Sequence, residues 1–249
     1  MAADTSQTVD KALRIFDFFA DKEELGISEL AVKMNSDKST VFRLLGSLTN
    51  AGFLQKDEVT KKFRLGLRLR YLGELVTERN EVSKQALPLM KKISEKYQVS
   101  TLLCELENNQ TRVLEKVSAG PLIYMTARVG VTMQPYSMAS GKLLLAYSGE
   151  QNIEEYLSAA VLEAQTPHTI TDKGQLREHF ASILANGYAE DNEESNIGLC
   201  CLSVPVIMGG QKDVLALDAS GLSDTIRENK PQLLIDLKEA ALALAMLAR

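Results

Sequence analysis

The sequence contains few of the residues that build disulfide frameworks and metal sites. Its 249 residues include three cysteines, two of them adjacent, and two histidines. Three cysteines cannot make a network of paired bridges, which favours a protein whose thiols stay reduced. Ten residues separate His168 from His179, a spacing that is not typical of metal ligands. The sequence therefore predicts no disulfide scaffold, no metal site and no cofactor.

Long apolar runs are also missing. No run approaches the roughly 20 residues that a membrane-spanning helix needs. The first residues, MAADTSQTVDK, lack the basic start and apolar block of a signal peptide. Hydrophobic residues still make up 45% of the chain, enough for the core of one large domain or two ordinary ones. We expect a soluble, cytoplasmic protein.

Charge is unevenly distributed along the chain. The net charge of −5 argues against a nucleic-acid binder only when the chain is taken as a whole. Residues 33–70 carry nine basic and three acidic side chains, a local charge of +6. A phosphate backbone requires such a local cationic footprint, which the whole-chain value hides.

The first 80 residues have the order of a winged helix-turn-helix domain. The predicted first helix buries a stripe of Val9, Leu13, Phe16 and Ala20, and Ile15, Phe18 and Phe19 widen this buried face. Ser28 is the predicted N-cap of a short second helix. A third helix, ended by Gly52, buries Val41, Leu44, Leu45 and Leu48. Strands at 53–56 and 62–65 then form a lysine-rich hairpin, which we interpret as the wing.

The outer face of the third helix carries cations and small polar groups but no acid. Arg43 and Asn50 could contact base edges, Phe42 a thymine methyl, and Ser39 or Thr40 a phosphate or a free N–H group. The predicted DNA-binding residues are Ser28, Lys38, Ser39, Thr40, Phe42, Arg43, Ser47, Asn50, Lys61, Lys62 and Arg64. The alternative is a solvated helix face in another kind of small helical domain.

A linker helix and a second domain follow the wing. Leu65, Leu69, Leu72 and Val76 recur at coiled-coil-like steps, which suit packing either on a partner chain or on the same domain. Beyond residue 83, helices alternate with hairpins, which indicates an α+β sensor domain with a largely antiparallel sheet. We therefore predict an α+β protein with a winged helix-turn-helix domain at 1–66, a linker helix at 67–82 and an effector-binding domain at 83–249.

Two features of the second domain suggest a ligand site. The sequence ASGK at 139–142 opens a helix with free backbone N–H groups, a natural seat for an anion. Asp218 and Ser220 share one face of a predicted strand, and Leu199 and Cys201 share a face of another.

Residues 26–75 resemble the winged helix of the IclR family of bacterial transcriptional regulators. Motifs at 124–147, 166–171, 183–206 and 215–221 resemble the effector-domain signatures of that family in the same order. The resemblance implies a GAF-like effector domain and a dimer built through the N-terminal domains, often paired into a tetramer. With the ASGK turn, it marks as effector-binding candidates Leu122, Met125, Ala139, Ser140, Gly141, Asp191, Leu199, Cys201, Asp218 and Ser220.

One candidate departs from the family pattern. The family often has serine where this chain has Asp218. Asp191 and Asp218 together would repel a simple carboxylate unless one is protonated or the ligand brings several hydroxyl groups. We therefore expect an effector rich in hydroxyl groups, such as a sugar acid, or a neutral or cationic one.

These observations predict a sequence-specific DNA-binding regulator whose operator binding is controlled by a metabolite. We expect a homodimer or homotetramer, bound to a pseudo-palindromic operator and associated with the nucleoid when bound. A repressor is preferred to an activator because many members of the family repress. One alternative is an enzyme with Cys201 as nucleophile, His168 as base and Asp191 as the orienting group. Another is a module that uses the winged helix for protein contacts.

Overall fold

The computed structural model describes residues 6–79, 81–118, 127–209 and 213–247. They belong to two units, Met1–Arg79 and Asn80–Arg249, each of which is described by itself. Among the described residues, none of the helices is long and apolar enough to cross a membrane.

The N-terminal unit is a helix-turn-helix followed by a two-stranded wing. Its elements are α1 (Gln7–Asp17), α2 (Ile27–Lys33), α3 (Lys38–Asn50), β1 (Leu54–Lys56), β2 (Phe63–Leu65) and α4 (Leu67–Arg79). β1 pairs antiparallel with β2, and Leu25 forms a bridge with Phe63. The buried side chains of α3 are Val41, Leu44 and Leu45, with Leu48 partly buried, as the sequence pattern predicts.

Two local predictions in this unit are wrong. On α1, Val9 and Leu13 are 54% and 56% exposed, contrary to the prediction, whereas Ile15 and Phe19 are buried as predicted. So many apolar residues follow one another in this helix that several stripes fit its period equally well. The N-cap of α2 is Gly26, not Ser28, and the Glu29 carboxylate accepts a hydrogen bond from the Gly26 N–H at 2.9 Å.

The end of α3 is tied to the start of α4. Gly52 ends the helix with a φ of +78°, as predicted. A Cβ on Gly66 would lie 2.3 Å from the Gly52 carbonyl oxygen, so only glycine fits this crossing. The Arg68 guanidinium donates to the Ala51 carbonyl oxygen at 3.2 Å and lies over the Phe53 ring. These contacts fix the path of the chain on both sides of the wing.

The C-terminal unit is built on a six-stranded antiparallel sheet. The strands are β3 (Ser100–Glu107), β4 (Gln110–Val117), β5 (Thr132–Met133), β6 (Ala189–Asn192), β7 (Leu199–Met208) and β8 (Asp213–Leu222). They lie in the order β5-β4-β3-β8-β7-β6. The predicted strand within 122–130 falls mostly outside the described residues, and β6 was not predicted.

Helices cover both faces of this sheet. They are α5 (Glu81–Tyr97), α6 (Ala139–Tyr147), α7 (Glu150–Ala159), α8 (Lys173–Asn186) and α9 (Ser223–Leu247), with a 3₁₀ turn at Pro135–Ser137. Leu103 and Leu217 pack in one apolar core with α5 and α9, whereas Leu102 and Ala216 pack in a second core with α6, α7 and α8. This alternation follows from the two-residue period of a strand. The sequence pattern did not predict α7.

Candidate DNA-binding face and effector pocket

The start of α3 is organised by Asp37. Its carboxylate accepts hydrogen bonds from the Thr40 N–H at 2.8 Å, the Ser39 hydroxyl at 2.5 Å and the Thr40 hydroxyl at 2.7 Å. These bonds, that of Ser39 first, hold the pKa of Asp37 well below its usual range. A hydroxyl hydrogen donated to Asp37 cannot at the same time be donated to a phosphate. Ser39 and Thr40 therefore belong to the hydrogen-bonded cap at the start of α3.

The remaining outer face of α3 is open to solvent. Phe42 is 60% exposed, and Lys38, Arg43 and Asn50 are exposed beside it. Ser47 is also exposed and donates to the Arg43 carbonyl oxygen at 3.1 Å. A Cβ on Gly46 would meet no atom within 4 Å. Within the described part of the chain, neither Lys38 nor Arg43 forms an ion pair, so both charges are available to a partner.

Asp57 stabilises the turn between the two strands of the wing. Its carboxylate accepts from the Val59 and Thr60 N–H groups at 2.8 and 2.7 Å. Lys61 forms an exposed ion pair with Glu58 at 3.0 Å. Arg64 donates from Nε and Nη2 to the Gln55 amide oxygen at 3.2 and 3.1 Å.

The remaining two predicted DNA contacts are Lys62, which follows α3 in the sequence, and Ser28, which precedes it. Lys62 is exposed and forms no ion pair among the residues the structure describes, unlike the neighbouring Lys61. Ser28 is exposed in the first turn of α2. All eleven candidate DNA contacts belong to the N-terminal unit, and their roles stay predictions.

The C-terminal unit contains a cavity of about 320 Å³ between the sheet and the start of α6. Six predicted effector residues line it: Ala139, Asp191, Leu199, Cys201, Asp218 and Ser220. The other lining residues are Leu102, Ala127, Met133, Gln134, Ser137, Met138, Gln165, Ser195 and Asn196. Most of these other lining residues lie in turns and loops, where no helical or strand periodicity in the sequence predicts their position.

Two other predicted effector residues, Ser140 and Gly141, are described by the structure and do not line this cavity. Ser140 and Gly141 are fully or almost fully buried in α6. A Cβ on Gly141 would lie 2.3 Å from the Pro135 Cα, so this glycine allows α6 to pack against the preceding turn. Leu122 and Met125 lie outside the described residues.

The strand pairing of the sheet places the polar residues at the floor of the cavity next to one another. Asp191, Cys201 and Ser220 lie directly opposite one another on β6, β7 and β8. Ser203 lies opposite Asp218 in the adjacent row of the same face. The Cys201 thiol donates to the Ser220 hydroxyl oxygen at 2.9 Å. The strand pairing thus brings together residues far apart in the sequence.

Asp191 holds the loop that follows β6. Its carboxylate accepts from the Glu194 N–H at 2.7 Å, the Ser195 N–H at 3.3 Å and the Ser195 hydroxyl at 2.5 Å. Burial raises the pKa of Asp191, although these hydrogen bonds oppose the change. Ser195 and Asn196 line the cavity. Asp191 therefore supports the cavity wall as well as facing the cavity.

Asp218 has a different environment. The residue is 4% exposed, and burial raises its pKa to about 7, with Asp191 adding to the rise. Ser203 and Ser140 lie close enough to lower that pKa, but their effect is smaller than that of burial. Among the described residues, Asp218 Oδ1 has no hydrogen-bond partner of good geometry. Asp218 thus lines the cavity as a carboxyl group with a raised pKa, and its Oδ1 atom is buried beside the two serines.

Comparison with known proteins identifies the family. The model of the bacterial transcriptional regulator IclR C-terminal domain matches residues 74–246, and the IclR helix-turn-helix model matches residues 8–58. The chain belongs to the IclR family. Its members are transcriptional regulators with a helix-turn-helix DNA-binding domain and a C-terminal effector-binding domain. The predicted family, fold class and regulatory function are confirmed.

Characterised IclR-family regulators match the chain over most of its length. KdgR of Dickeya chrysanthemi is 29% identical over 244 residues, which cover 96% of this chain and 78% of that protein. XynR of Escherichia coli K12 is 28% identical, with 96% of each chain covered.

Solved IclR-family structures have the same fold. That of Thermotoga maritima IclR has a TM-score of 0.82 at 29% identity and covers 97% of this chain and 99% of that one. An IclR homologue from Microbacterium hydrocarbonoxydans, complexed with 4-hydroxybenzoate, has a TM-score of 0.84 at 26% identity, with 98% and 99% covered.

The two histidines of this IclR-family chain differ in environment. His168 is exposed and is not among the described lining residues. His179 is half-buried. Burial, followed by the charge of Lys142, lowers the pKa of His179 to about 4. Burial also raises the pKa of Cys201 well above its ordinary value, which opposes its use as a thiolate nucleophile.

Proposed function

We propose that this IclR-family regulator is a homodimeric repressor that leaves a pseudo-palindromic operator when a small hydroxylated effector fills the cavity of its C-terminal unit. The proposed division is a DNA-binding domain at 1–66, a linker helix at 67–82 and an effector domain at 83–249. The observation that carries the proposal is that one unit has an open, cationic helix α3 and the other has a cavity lined by polar as well as apolar side chains.

The proposed DNA interface is the outer face of α3. Arg43 and Lys38 supply unpaired cations, and Phe42 supplies an exposed aromatic ring. A major groove offers guanine acceptors to Arg43 and thymine methyl groups to Phe42. Lys62 on the wing suits a phosphate contact, which adds affinity without sequence preference. Because Asp37 engages Ser39 and Thr40, we assign these two a positioning role at the start of α3.

The proposed dimer is supported by apolar side chains left in solvent by the N-terminal unit. Leu67 and Val76 of α4 are 80% and 69% exposed, and Tyr71 is also exposed. Val9 and Leu13 of α1 add to this surface. A second copy would remove such apolar groups from water, and two recognition helices would then bind two half-sites. A tetramer formed through the effector domains is a further step of the same proposal.

The proposed control works by linkage. An effector changes operator affinity only if it binds one arrangement of the dimer more tightly than the other, and the effect is reciprocal. The related protein complexed with 4-hydroxybenzoate supports a small hydroxylated acid as the kind of ligand that this fold accepts. We infer a regulator without catalytic activity, since Cys201 and His168 form no nucleophile–base pair among the described residues.

The test is a gel-shift experiment with genomic fragments that flank the gene. We expect a retarded complex that weakens steeply as salt rises, because phosphate contacts release counterions. Sedimentation of the free protein should give the mass of a dimer or of a multiple of it. A folded protein that retards no fragment in dilute buffer, or whose complex is insensitive to salt, would contradict the proposal and favour a protein-contact module.

A further inference from the structure

A slot opens within the sheet between β3 and β8. The ladder between these strands ends at the pair of Cys104 and Ala216. Three further pairs that an unbroken ladder would form are absent among the described residues: Glu105 with Leu215, Leu106 with Val214, and Glu107 with Asp213. A cavity of about 560 Å³ lies where the strands separate, within the size range of small-ligand sites. In the described part of the chain it shares no lining residue with the cavity at the start of α6.

A β-bulge explains where the ladder ends. The register of β3 against β4 shifts between Leu103 and Cys104. A bulge bends its strand and can terminate pairing with a neighbour, and bulges are common beside functional sites. Beyond the bulge β3 stays paired with β4, and β8 stays paired with β7 as far as Asp213. The slot therefore separates two intact hairpins.

Two strand residues direct backbone groups into the slot. The two-residue turn at 108–109 has a positive φ at both positions, +50° and +59°, which is the type I′ geometry. Glu107 and Gln110, which flank this turn, form the first pair of the hairpin and exchange both hydrogen bonds. Because the bonding side alternates along a strand, the N–H and C=O of Leu106 point away from β4 and into the slot. An unbroken ladder would pair them with Val214, and both residues line the slot.

The backbone groups of Leu106 and Val214 lack partners across the slot. The hydrogen bonds outside the strand ladders include none to either residue in the part of the chain that the structure describes. Both residues are half-buried. Native proteins rarely leave such backbone groups without a protein or water partner. Two strand edges that face one cavity complement a peptide backbone, which has donors and acceptors on both of its sides.

The rest of the described lining is mostly neutral. Amides and hydroxyls come from Asn108, Asn109, Tyr147, Ser148 and Asn152, and apolar side chains from Leu144, Met208 and Leu215. The carboxylate of Glu105 accepts a hydrogen bond from the Arg112 Nε at 2.7 Å. No lysine, arginine or histidine is present among the lining residues that the structure describes. The terminal carboxylate of a free peptide would meet no side-chain cation there, whereas an internal segment of a chain brings no such charge.

We propose that this slot binds an extended internal segment of a partner protein, which inserts as a strand between β3 and β8. The segment pairs through its backbone with Leu106 on one side and with Val214 on the other. It is neutral or basic, because Glu105 is the carboxylate that it meets in the described lining. Alternate side chains of the segment face α6, where Leu144 and Tyr147 lie. This inference does not depend on the proposed function.

The test is calorimetric titration of the full chain with acetyl-threonyl-valyl-threonine amide, whose blocked ends mimic an internal segment. Two further peptides carry a methyl group on the nitrogen of the valine or of the second threonine. At an ordinary sheet edge one of the two methyl groups would be tolerated, because alternate N–H groups face solvent. In the slot each should weaken binding by about fivefold or more, the loss expected for one hydrogen bond.

Charge and end groups test the identity of the segment. Glutamate in place of both threonines should weaken binding, whereas lysine in the same places should not. The parent tripeptide with free ends should bind more weakly than the blocked one, because its carboxylate meets no side-chain cation in the described lining. Tighter binding of the free-ended peptide would overturn the assignment and indicate a free oligopeptide as the ligand.

Two variants and one measurement on the wild-type chain locate the site. Asn152→Phe places an aromatic ring at the slot and should abolish most of the binding. Gln151→Phe changes the adjacent exposed amide, which is not among the described lining residues, and should bind as the wild type does. In the wild-type chain, the blocked peptide should slow amide hydrogen exchange at Leu106 and Val214 and leave Ser220, at the other end of β8, unchanged.

Four results would overturn the inference. They are no binding of the blocked peptide at millimolar concentrations, equal binding of either methylated peptide, unchanged binding by Asn152→Phe, and slowed exchange away from Leu106 and Val214. Urea unfolding shows whether Asn152→Phe is folded, and if it is not, the exchange measurement on the wild-type chain decides. Operator gel shifts are independent of all four results, so a failure here leaves the proposed function standing.

Discussion

The Lys142 ammonium and the Glu194 carboxylate form an ion pair with both side chains almost completely removed from water. Lys142 belongs to α6, and Glu194 to the loop that carries Ser195 and Asn196 into the cavity lining. The Thr169 hydroxyl also donates to the Glu194 carbonyl oxygen at 2.6 Å. The pair thus joins α6, which begins at the cavity, to a loop without regular structure that lies 52 residues later in the chain.

Removing one member of this pair should be strongly destabilising. In Lys142→Met, the Glu194 carboxylate stays buried without its cation, and such changes typically cost about 3–5 kcal/mol of unfolding free energy. The measurement is urea unfolding of the full chain. The double variant Lys142→Met, Glu194→Gln should recover a large part of the loss, because no uncompensated charge is left. Equal losses in the single and double variants would contradict a role for the charge pair.

Arg43→Ala should weaken operator binding by about 1–3 kcal/mol if its guanidinium contacts a base edge. Binding to unrelated DNA should change much less, so the ratio of the two affinities is the measurement. Lys91→Ala removes one exposed cation from α5 of the other unit and serves as the control. Unchanged operator binding in Arg43→Ala would mean that the assigned orientation of α3 is wrong.

The two wing lysines should behave differently. Lys62→Ala should lower affinity for all DNA sequences alike and flatten the dependence on salt, because a phosphate contact is lost. Lys61→Ala should have the same sign but a smaller effect, since Lys61 is already paired with Glu58. The comparison needs dissociation constants at several salt concentrations. A larger effect of Lys61→Ala would show that its pair with Glu58 opens on DNA.

Elements with a clear period or stop signal could be predicted from the sequence. The apolar stripe of α3 fits one helical register, as predicted, and Gly187, a residue type that favours a positive φ, ends α8 with a φ of +69°. The face of α1 could not be fixed, because clustered apolar residues fit several stripes. The short strand β6 has an acidic sequence that is typical of a loop, and it becomes a strand by pairing with β7.

The candidate pocket was only partly predictable for a similar reason. Strand pairing places Asp191, Cys201 and Ser220 in one row, and no local pattern reveals that register. The loop contacts of Asp191 and the unpartnered oxygen of Asp218 depend on tertiary packing. The sequence identified both as carboxyl groups of the site but could not show that Asp191 is hydrogen-bonded to the loop after β6, whereas Asp218 is buried with a raised pKa.

Asp191→Asn should alter the response to effector and leave operator affinity without effector nearly unchanged. Asparagine has one acceptor oxygen where Asp191 uses two, so the loop at Glu194 and Ser195 loses part of its support. The measurement is operator affinity with and without a bound effector. Ser195→Ala, which removes only the hydroxyl donor, should shift the response in the same direction. Loss of operator binding without effector would contradict the separation of the two roles.

The raised pKa of Asp218 has a consequence for stability with a definite sign. Its folded-state pKa is about 7, against an ordinary value of 3.8. Between these values the folded chain holds a proton that the unfolded chain has released. Each rise of one pH unit in that window therefore lowers the free energy of unfolding by about 1.4 kcal/mol at most. The contribution is present at low pH and is lost as the pH rises through the folded-state pKa.

Asp218→Asn tests this sign because it removes the titrating group and retains the shape. Asp191 and Glu194 also have raised pKa values and add slopes of the same sign, so only the difference from the wild-type chain isolates Asp218. Relative to the wild type, the variant should gain on the order of 2 kcal/mol when urea unfolding is moved from about pH 5 to about pH 8. Glu178→Gln, which removes one exposed carboxylate from α8, should show no such gain. If the difference between Asp218→Asn and the wild type is the same at both pH values, Asp218 is already ionised in the folded chain at about pH 5, and burial does not raise its pKa.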